Sequence, residues 1–318
     1  MEIIDLRISK AKLNKKYSKF DPYALEKFGL QKIILLPDFY PGRSYLPVGT
    51  VSLFNHESHT MTPNFLGRDI GCGMSLFKTD VLSQEFDLQQ LVDHLDRLLI
   101  KDRNIEFTIG NHFVDFCDDV EGQLYFVIHA GFKRYGMFIV KYGFAGEDYL
   151  VKMHESINKA VNNRLLLGVK VFEALNMDNI PPVLDKPHNT AEILKKGILY
   201  RKGAVKLVPG ELSILPSNLL HPILIVKGKK KISNLEYSFC HGTGREKPLE
   251  DISQKMIDYD NLRNIVKMPS KMPIGSLKKL LPTEYKNFLS FYHKFSDYIS
   301  IEKKLRIIGY VGYKRDNN

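Results

Sequence analysis

Short apolar runs bounded by polar or glycine-marked segments predict a series of β-strands in this chain. The clearest runs are residues 33–36, 48–54 and 124–128, whose lengths and β-branched content are typical of strands. A further apolar run at 222–226 predicts another strand, and we expect the lysine-rich residues 227–231 that follow it to cap a hairpin. The pattern therefore indicates a strand-rich centre.

Apolar positions at helical spacing predict three amphipathic helices. Residues 87–101 repeat leucine and valine at intervals of three and four, which places these side chains on one helix face. Residues 148–166 show the same spacing, and a third helix is expected to follow Thr283, which can serve as its N-cap. We therefore predict an α+β fold, a single domain over residues 1–318 with its helices packed outside the strands.

Composition favours a globular protein with a polyanionic partner. The 318 residues are 44% hydrophobic and 26% charged, and the formal net charge is +10, which suits nucleic acid. Basic clusters lie at 10–16, 227–231 and 278–279. For 227–231 a solvated turn and an RNA-backbone contact both remain open.

The cysteine content and the hydropathy of the chain indicate the cellular compartment in which the protein is expected. The three cysteines cannot all pair, so we do not expect a disulfide framework. We expect instead that the protein lies in a reducing compartment. No apolar run approaches the roughly 20 residues that a membrane span needs, and no secretory signal follows Met1. We therefore expect a cytoplasmic protein without a membrane partner.

The segment Cys240-His241-Gly242-Thr243-Gly244-Arg245 has the composition of a phosphate-handling nucleophile. Glycines let backbone N–H groups approach an anion, an arginine can pair two oxygens at once, and a neutral imidazole is nucleophilic. As an isolated short motif the segment is weak, and it gains meaning from other segments.

Those other segments supply donors for metal ions. Asp69 and Cys72 lie three apart in a glycine-flanked turn, and three histidines stand beside small or amide residues: His112, His129 and His188. Each of these alone reads as a structural residue. Together they could hold one or two transition-metal ions, and by ligand softness alone Zn²⁺ or Co²⁺ fits as readily as Mn²⁺.

In this order the segments resemble the RtcB family of RNA ligases. The family's marks include an Asp-x-Gly-Cys-Gly turn, a Gly-Asn-His-Phe-x-Glu stretch, a His-x-Gly-x-Arg/Lys loop and a final Cys-His-Gly-x-Gly-Arg. The matching segments here are 37–42 with 47–49, 69–73, 110–115, 129–134, 188–189, 201–204 and 240–245. The similarity runs from about residue 35 to the C-terminus, and it implies an RtcB-like fold.

The resemblance implies a reaction and a set of roles. Such enzymes join an RNA end bearing a 2′,3′-cyclic phosphate or 3′-phosphate to a 5′-hydroxyl end with GTP and Mn²⁺, in RNA repair or tRNA splicing. By analogy His241 forms a covalent histidine–GMP, and Cys72 bridges two metal ions whose terminal ligands are Asp69, His112, His129 and His188. The residues expected to bind nucleotide or phosphate are Asn111, Phe113, Asp115, Asn189, Arg201, Lys202, Gly203, Ala204, Gly242, Gly244, Arg245 and Tyr285.

Three positions depart from the family pattern. Asp115 stands where the family has a glutamate that reads guanine, Gly312 stands where it has a guanine-contacting lysine (Lys314 follows two residues later), and Tyr40 replaces a histidine. The preference for GTP is therefore open. Two alternatives also remain, a metal-dependent phosphoesterase acting on RNA ends and a non-ligating RNA-binding homologue. The sequence identifies neither the RNA target, nor an assisting protein for guanylylation turnover, nor the oligomeric state.

Overall fold

The computed structural model describes residues 1–7, 20–40, 42, 44–102, 104–107, 112–245, 259–273, 276 and 285–312. Within them the fold mixes helices with three sheets, as the α+β prediction requires. The strands are β1 Glu2–Asp5, β2 Leu30–Tyr40, β3 Val48–Phe54, β4 Gly73–Leu82, β5 Phe113–Asp118, β6 Gln123–Ala130, β7 Leu184–Pro187, β8 Asn189–Leu194, β9 Gly197–Lys202, β10 Ala204–Lys206, β11 Leu212–Leu215, β12 Ile223–Gly228, β13 Ser238–Cys240 and β14 Ile299–Val311. The helices are α1 Pro63–Leu66, α2 Leu88–Lys101, α3 Lys133–Tyr142, α4 Gly146–Leu175, α5 Tyr259–Ile265 and α6 Phe288–Phe295.

Two large sheets form the strand-rich centre. One has the order β1-β2-β3-β9-β8 and the other the order β11-β12-β14-β5-β6-β4-β7, while β10 pairs with β13. Every pairing is antiparallel except that of β1 with β2. Helices α2 and α4 pack their apolar faces on the seven-stranded sheet, in a core that includes Phe77, Leu95, Phe126 and Phe172. Among the described residues no helix is long and apolar enough to cross a membrane.

The predicted helices are present, with corrected ends. Helix α2 matches its prediction, and Asp87 caps it by accepting hydrogen bonds from the backbone N–H groups of Gln89 and Gln90. Helix α4 runs to Leu175, beyond the predicted end at 166, because its buried stripe continues. Helix α6 begins after the N-cap Asn287, whereas Thr283 lies outside the described residues.

The hairpin expected at 227–231 is wrong. Strand β12 pairs with β11 and β14, and the chain after it enters a 3₁₀ helix over Lys230–Leu235. Lys227 and Lys231 form ion pairs with Glu302 and Asp297, at 3.0 and 2.7 Å. Long-range pairing with β14 therefore outweighs the local turn signal of the lysine run.

Candidate functional site

Strand register brings the five candidate metal ligands to one end of the seven-stranded sheet. Cys72 directly precedes β4, whose Gly73 pairs with Ala130 of β6 on one side and with Pro187 of β7 on the other. His129 therefore lies beside Cys72, and His188 follows β7 at the same edge. His112 precedes β5, where Phe113 pairs with His129. Neighbouring antiparallel strands thus gather residues that are far apart in sequence.

The donors form two groups of three that share Cys72. Ligand atoms of Asp69, Cys72 and His112 lie within 4.8 Å of one another, and those of Cys72, His129 and His188 do the same. The Cys72 sulfur is 3.3 Å from Nε2 of His129, which is itself 3.3 Å from Nε2 of His188. A thiolate placed between two sets of donors can bridge two ions.

Burial favours the neutral imidazole of His112 and of His188, which is the form that binds metal. Burial lowers the pKa of His112 to about 4. It also holds the pKa of His188 well below its usual range, helped by repulsion from His241 and His129. Burial raises the pKa of the Cys72 thiol, and the carboxylate of Asp69 adds to that effect. A bound cation would reverse this trend, because metal coordination deprotonates a thiol.

Unpartnered polar atoms indicate that this centre suits a metal ion. Buried Oδ1 of Asp69, Nδ1 of His112 and Nδ1 of His188 have no hydrogen-bond partner among the described residues. Buried polar atoms are nearly always paired, so three such atoms beside a shared thiol are unusual. The donor set of one carboxylate, one thiol and three imidazoles fits a first-row transition metal.

His241 lies directly beside the second donor group. Its ring centroid is 4.5 Å from that of His188. Its Nδ1 lies 2.6 Å from Oδ2 of Asp38 and 2.8 Å from the carbonyl oxygen of Gly203. Two acceptors at Nδ1 favour the tautomer with its proton on that nitrogen, which leaves the lone pair on Nε2. The geometry therefore prepares Nε2 as a nucleophile.

The glycine of the nucleophile loop is required for this approach. Gly244 has φ +79°, and a Cβ there would lie 2.6 Å from Cα of Asp38. Lys286 fixes the same region, since its buried ammonium donates to the carbonyl of Pro37 and, at 3.3 Å, to that of Phe39. Its backbone N–H donates to the carbonyl of Gly244 at 3.0 Å. These contacts hold Asp38 under His241.

Several of the predicted nucleotide-binding residues form a second group near β5 and β14. The Phe113 and Tyr310 rings stack at 6.1 Å. The Arg245 guanidinium lies 4.8 Å above the Tyr285 ring and donates to its hydroxyl at 3.2 Å. Asp115 is buried, and burial raises the pKa of its carboxyl well above the usual value. Asn111 lies outside the described residues, as does Lys314.

Other predicted residues have structural partners. Asn189 donates to the carbonyl of Asp69 and accepts from the N–H of Gly203, both at 2.8 Å, so it ties the metal turn to the nucleophile loop. Arg201 donates to Glu192 at 2.5 Å and to Ser238 at 2.8 Å, which engages its guanidinium away from the centre. Lys202 is buried, and its ammonium donates to the carbonyl of Leu66. The remaining predicted residues lie near these loops: Gly203, Ala204 and Gly242.

Sequence reasoning missed four residues that shape the site. Asp38 and Lys133 were inside quoted motifs but had no assigned role, while Lys286 and Arg164 gave no local signal. Lys133 forms an ion pair with Asp69 at 3.2 Å. Arg164 is fully buried and donates to the carbonyls of Gly71 and Ala130, at 3.0 and 2.9 Å. Only the folded chain brings these partners together.

At Gly312 a side chain has no room. A Cβ there would lie 2.7 Å from the carbonyl oxygen of His112 and from Cβ of Phe113. A lysine at this position, as the family pattern has it, would therefore require the strand end to shift.

Comparison with known proteins gives two matches. A family model described as tRNA-splicing ligase RtcB matches residues 23–106. An RNA-splicing ligase RtcB2 from Escherichia coli (strain ATCC 25922) is 26% identical over an alignment of 268 residues, which covers 68% of this chain and 69% of that protein. The matched segment of the family model includes Asp38, Asp69 and Cys72.

Proposed function

Since this chain is a member of the RtcB-type family of RNA ligases, we propose that it joins RNA ends through a covalent intermediate on His241. The RNA ends would carry a 2′,3′-cyclic phosphate or 3′-phosphate on one side and a 5′-hydroxyl on the other, with GTP as the activating nucleotide. The observation that carries the proposal is an imidazole held at Nδ1 by Asp38 and Gly203, with its ring 4.5 Å from that of a candidate metal ligand.

Two divalent ions, Mn²⁺ by analogy with the family, fit the two donor groups. Asp69, Cys72 and His112 would hold one ion, and Cys72, His129 and His188 the other. Such ions stabilise charge on the attacking and leaving oxygens of an in-line phosphoryl displacement. Buried unpartnered atoms on Asp69, His112 and His188 support occupation of both groups.

The first step follows from the orientation of His241. Nε2 attacks the α-phosphorus of GTP, an N–P bond forms, and the bond to pyrophosphate breaks. The imidazole gains positive charge in this step, and the Asp38 carboxylate at Nδ1 stabilises it. Asp38 thereby fixes the tautomer, the ring orientation and the charge of the nucleophile.

The later steps return His241 to its starting state. Water first opens a 2′,3′-cyclic end to a 3′-phosphate. An oxygen of the RNA 3′-phosphate attacks the phosphorus of the histidine–GMP, so the N–P bond breaks and the RNA end carries GMP. The 5′-hydroxyl oxygen then attacks the RNA phosphorus, its proton passes to solvent, and GMP leaves. The protein's part is chiefly positioning and charge stabilisation.

Nucleotide binding is assigned to the group near β5 and β14. Phe113 and Tyr285 offer ring faces, Arg245 offers a cation close to Tyr285, and Asp115 offers a carboxyl group for the base. Burial raises the pKa of the Asp115 carboxyl, and a protonated carboxyl can both donate and accept a hydrogen bond. The choice between GTP and ATP is part of the test.

The test is transfer of label from α-³²P GTP or ATP to the protein with Mn²⁺. We expect acid-labile label on the wild-type protein, none on His241→Gln, and a rate at least about 100-fold lower for Asp38→Asn, which keeps the shape but removes the carboxylate. His94→Gln, on the exposed side of α2, is the matched control and should label normally.

A different result would change the function. If His241→Gln kept its label, the nucleophile would be another residue. The two donor groups are complete without His241, which favours a phosphoesterase as the second candidate. Opening of cyclic phosphates without nucleotide, retained in His241→Gln, would establish that reaction instead.

A further inference from the structure

Helix α3 carries a row of aromatic rings that no step above uses. Tyr135 and Phe138 stack at 5.5 Å with an interplanar angle of 20°. Phe138 lies 4.7 Å from Tyr142 and 5.8 Å from Phe144. We call these four residues the α3 aromatic row. The first three stand at positions i, i+3 and i+7, so one face of the helix carries them.

The outer part of this row faces solvent. Tyr142 is 62% exposed and Phe138 38% exposed, although aromatic side chains of this size usually bury most of their surface. Tyr135 and Phe144 pack against the core below them. The row is therefore anchored at its base and open at its surface, as a binding platform requires.

Cations lie along the row. Lys159 Nζ is 5.0 Å above the Tyr135 ring, and Lys141 Nζ is 5.7 Å from the Tyr142 ring centroid. Neither lysine forms an ion pair within the described part of the chain. Glu155, the acidic residue beside Tyr135, is paired with Lys152 at 3.0 Å. Glu155 also attracts Lys159 electrostatically. Lys141, Lys152 and Lys159 outnumber this one carboxylate, so the row has a positive border.

The helix that carries the α3 aromatic row begins beside the candidate metal centre. Helix α3 begins at Lys133, whose Nζ is 3.2 Å from Oδ2 of Asp69. Gly136 brings the helix close to the Asp69 turn, since a Cβ there would lie 2.0 Å from the carbonyl oxygen of Arg68. From Lys133 to Tyr142 a helix rises about 14 Å, which is a few nucleotides of single strand.

We propose that the α3 aromatic row binds the single-stranded end of the broken RNA and guides it to the metal centre. Bases stack on Phe138 and Tyr142, and Lys141 and Lys159 contact the phosphates. Stacked rings with interleaved cations are how proteins hold single strands without reading sequence. A purely apolar protein partner would not use the positive border. This inference rests on the proposed RNA ligation.

The test measures binding of a short fluorescent single-stranded RNA and of an RNA duplex. Tyr142→Ala and Phe138→Ala should each weaken single-strand binding at least about fivefold, with duplex binding unchanged. Tyr142→Phe should bind as the wild type does, while Tyr142→Leu, apolar but unable to stack, should resemble Tyr142→Ala. Tyr23→Ala is the matched control, because Tyr23 is 64% exposed elsewhere.

Salt dependence tests the cations separately. Lys141→Gln should reduce the slope of log affinity against log salt by about one. Equal affinity of wild type and the Phe138→Ala/Tyr142→Ala double variant would overturn the proposal, as would full binding by Tyr142→Leu, which would indicate an apolar protein interface. Thermal melting of each variant establishes that it is folded.

The label assay on the wild-type protein separates the two proposals. If His241 is labelled but RNA binding does not depend on the α3 aromatic row, the proposal for the row is wrong and the ligase proposal stands. Binding that depends on the row, without label on His241, would keep the RNA surface and remove the ligation mechanism.

Discussion

Two sets of buried polar residues surround the candidate centre, and they differ in how fully they are hydrogen-bonded. The outer set is saturated. Arg164 donates to Asp185, Ser75 and two backbone carbonyls, and Asn163 joins the backbone of Glu106 to that of Gly131. These bonds fix the loops that carry the candidate ligands.

The inner set keeps atoms without partners. Asp38, Asp69, His112 and His188 each have one buried side-chain atom with no hydrogen bond within the described residues. In the described part of the chain, unpaired buried atoms are also found on Ser52, Asp115, Tyr149 and Ser213, but the inner set is where four of them surround one group of candidate ligands. The difference indicates that the outer set stabilises the fold and that the inner set serves ligand binding.

The largest expected effect comes from breaking the outer set. Arg164 holds Asp185 with two bonds of 2.7 and 2.8 Å and is fully buried. Arg164→Met should cost about 3 kcal/mol of unfolding free energy, because it removes the cation that pairs with Asp185 and the donor to two backbone carbonyls. Urea denaturation measures this.

Arg306 gives a matched control for that experiment. It holds Asp118 with the same two-bond geometry, at 2.9 and 2.6 Å, but its side chain is 76% exposed. Arg306→Met should cost no more than about 1 kcal/mol. Equal losses for the two variants would show that the saturated set contributes no special stability.

The inner set should make the metal-free protein sensitive to acid. The pKa of His112 is about 4 in the folded state against an ordinary value of 6.5, so below pH 6.5 the unfolded chain binds a proton that the folded chain does not. Its stabilising contribution is complete above pH 6.5 and is lost as the pH falls towards 4, by about 3 kcal/mol at most. Urea midpoints from pH 7 to 4, without metal, measure it.

His112→Gln should flatten this profile, whereas His94→Gln on exposed α2 should leave it unchanged. The pKa of His188 is also lowered. Some dependence of stability on pH should therefore persist in His112→Gln. A profile identical to that of the wild type would mean that His112 is charged or solvated in the folded protein.

The comparison also explains what the sequence could predict. The strand at 48–54 and the helix at 87–101 are confirmed because local spacing and a local cap determine them. Three of the inner residues, Asp69, His112 and His188, were selected because glycines and adjacent polar groups mark them in sequence, whereas Asp38 was not selected. The outer residues gave no such sign, since Arg164 sits within an ordinary helical stripe.

The sequence analysis mainly missed contacts between residues that are far apart in the chain. Asp38 and His241 are 203 residues apart, and only the sheet register brings them together. Arg201 is still predicted to hold phosphate, but the sequence did not indicate that Glu192 on the neighbouring strand would accept a hydrogen bond from its guanidinium. In each case the missing information is which strands pair, which one-dimensional patterns do not contain.

Asp115 tests the difference between the two sets most closely. It is buried like the outer set, and its Oδ1 has no hydrogen-bond partner among the described residues, like atoms of the inner set. Burial raises its folded pKa, so above its ordinary value of 3.8 the unfolded chain releases a proton that the folded chain retains. Stability therefore falls as pH rises from 3.8, and Asp115→Asn, which cannot ionise, should be more stable than wild type at pH 7. Near pH 4 the two should be equal.

Asp118→Asn, on the same strand, loses an ion pair with Arg306 and should be slightly less stable than wild type. Urea unfolding at pH 4 and pH 7 compares all three proteins. A loss of stability in Asp115→Asn at pH 7 would mean that its carboxylate is ionised and partnered in the fold. A gain, accompanied by slower transfer of nucleotide label, would mean that this acid is kept at a cost to stability because the nucleotide needs it.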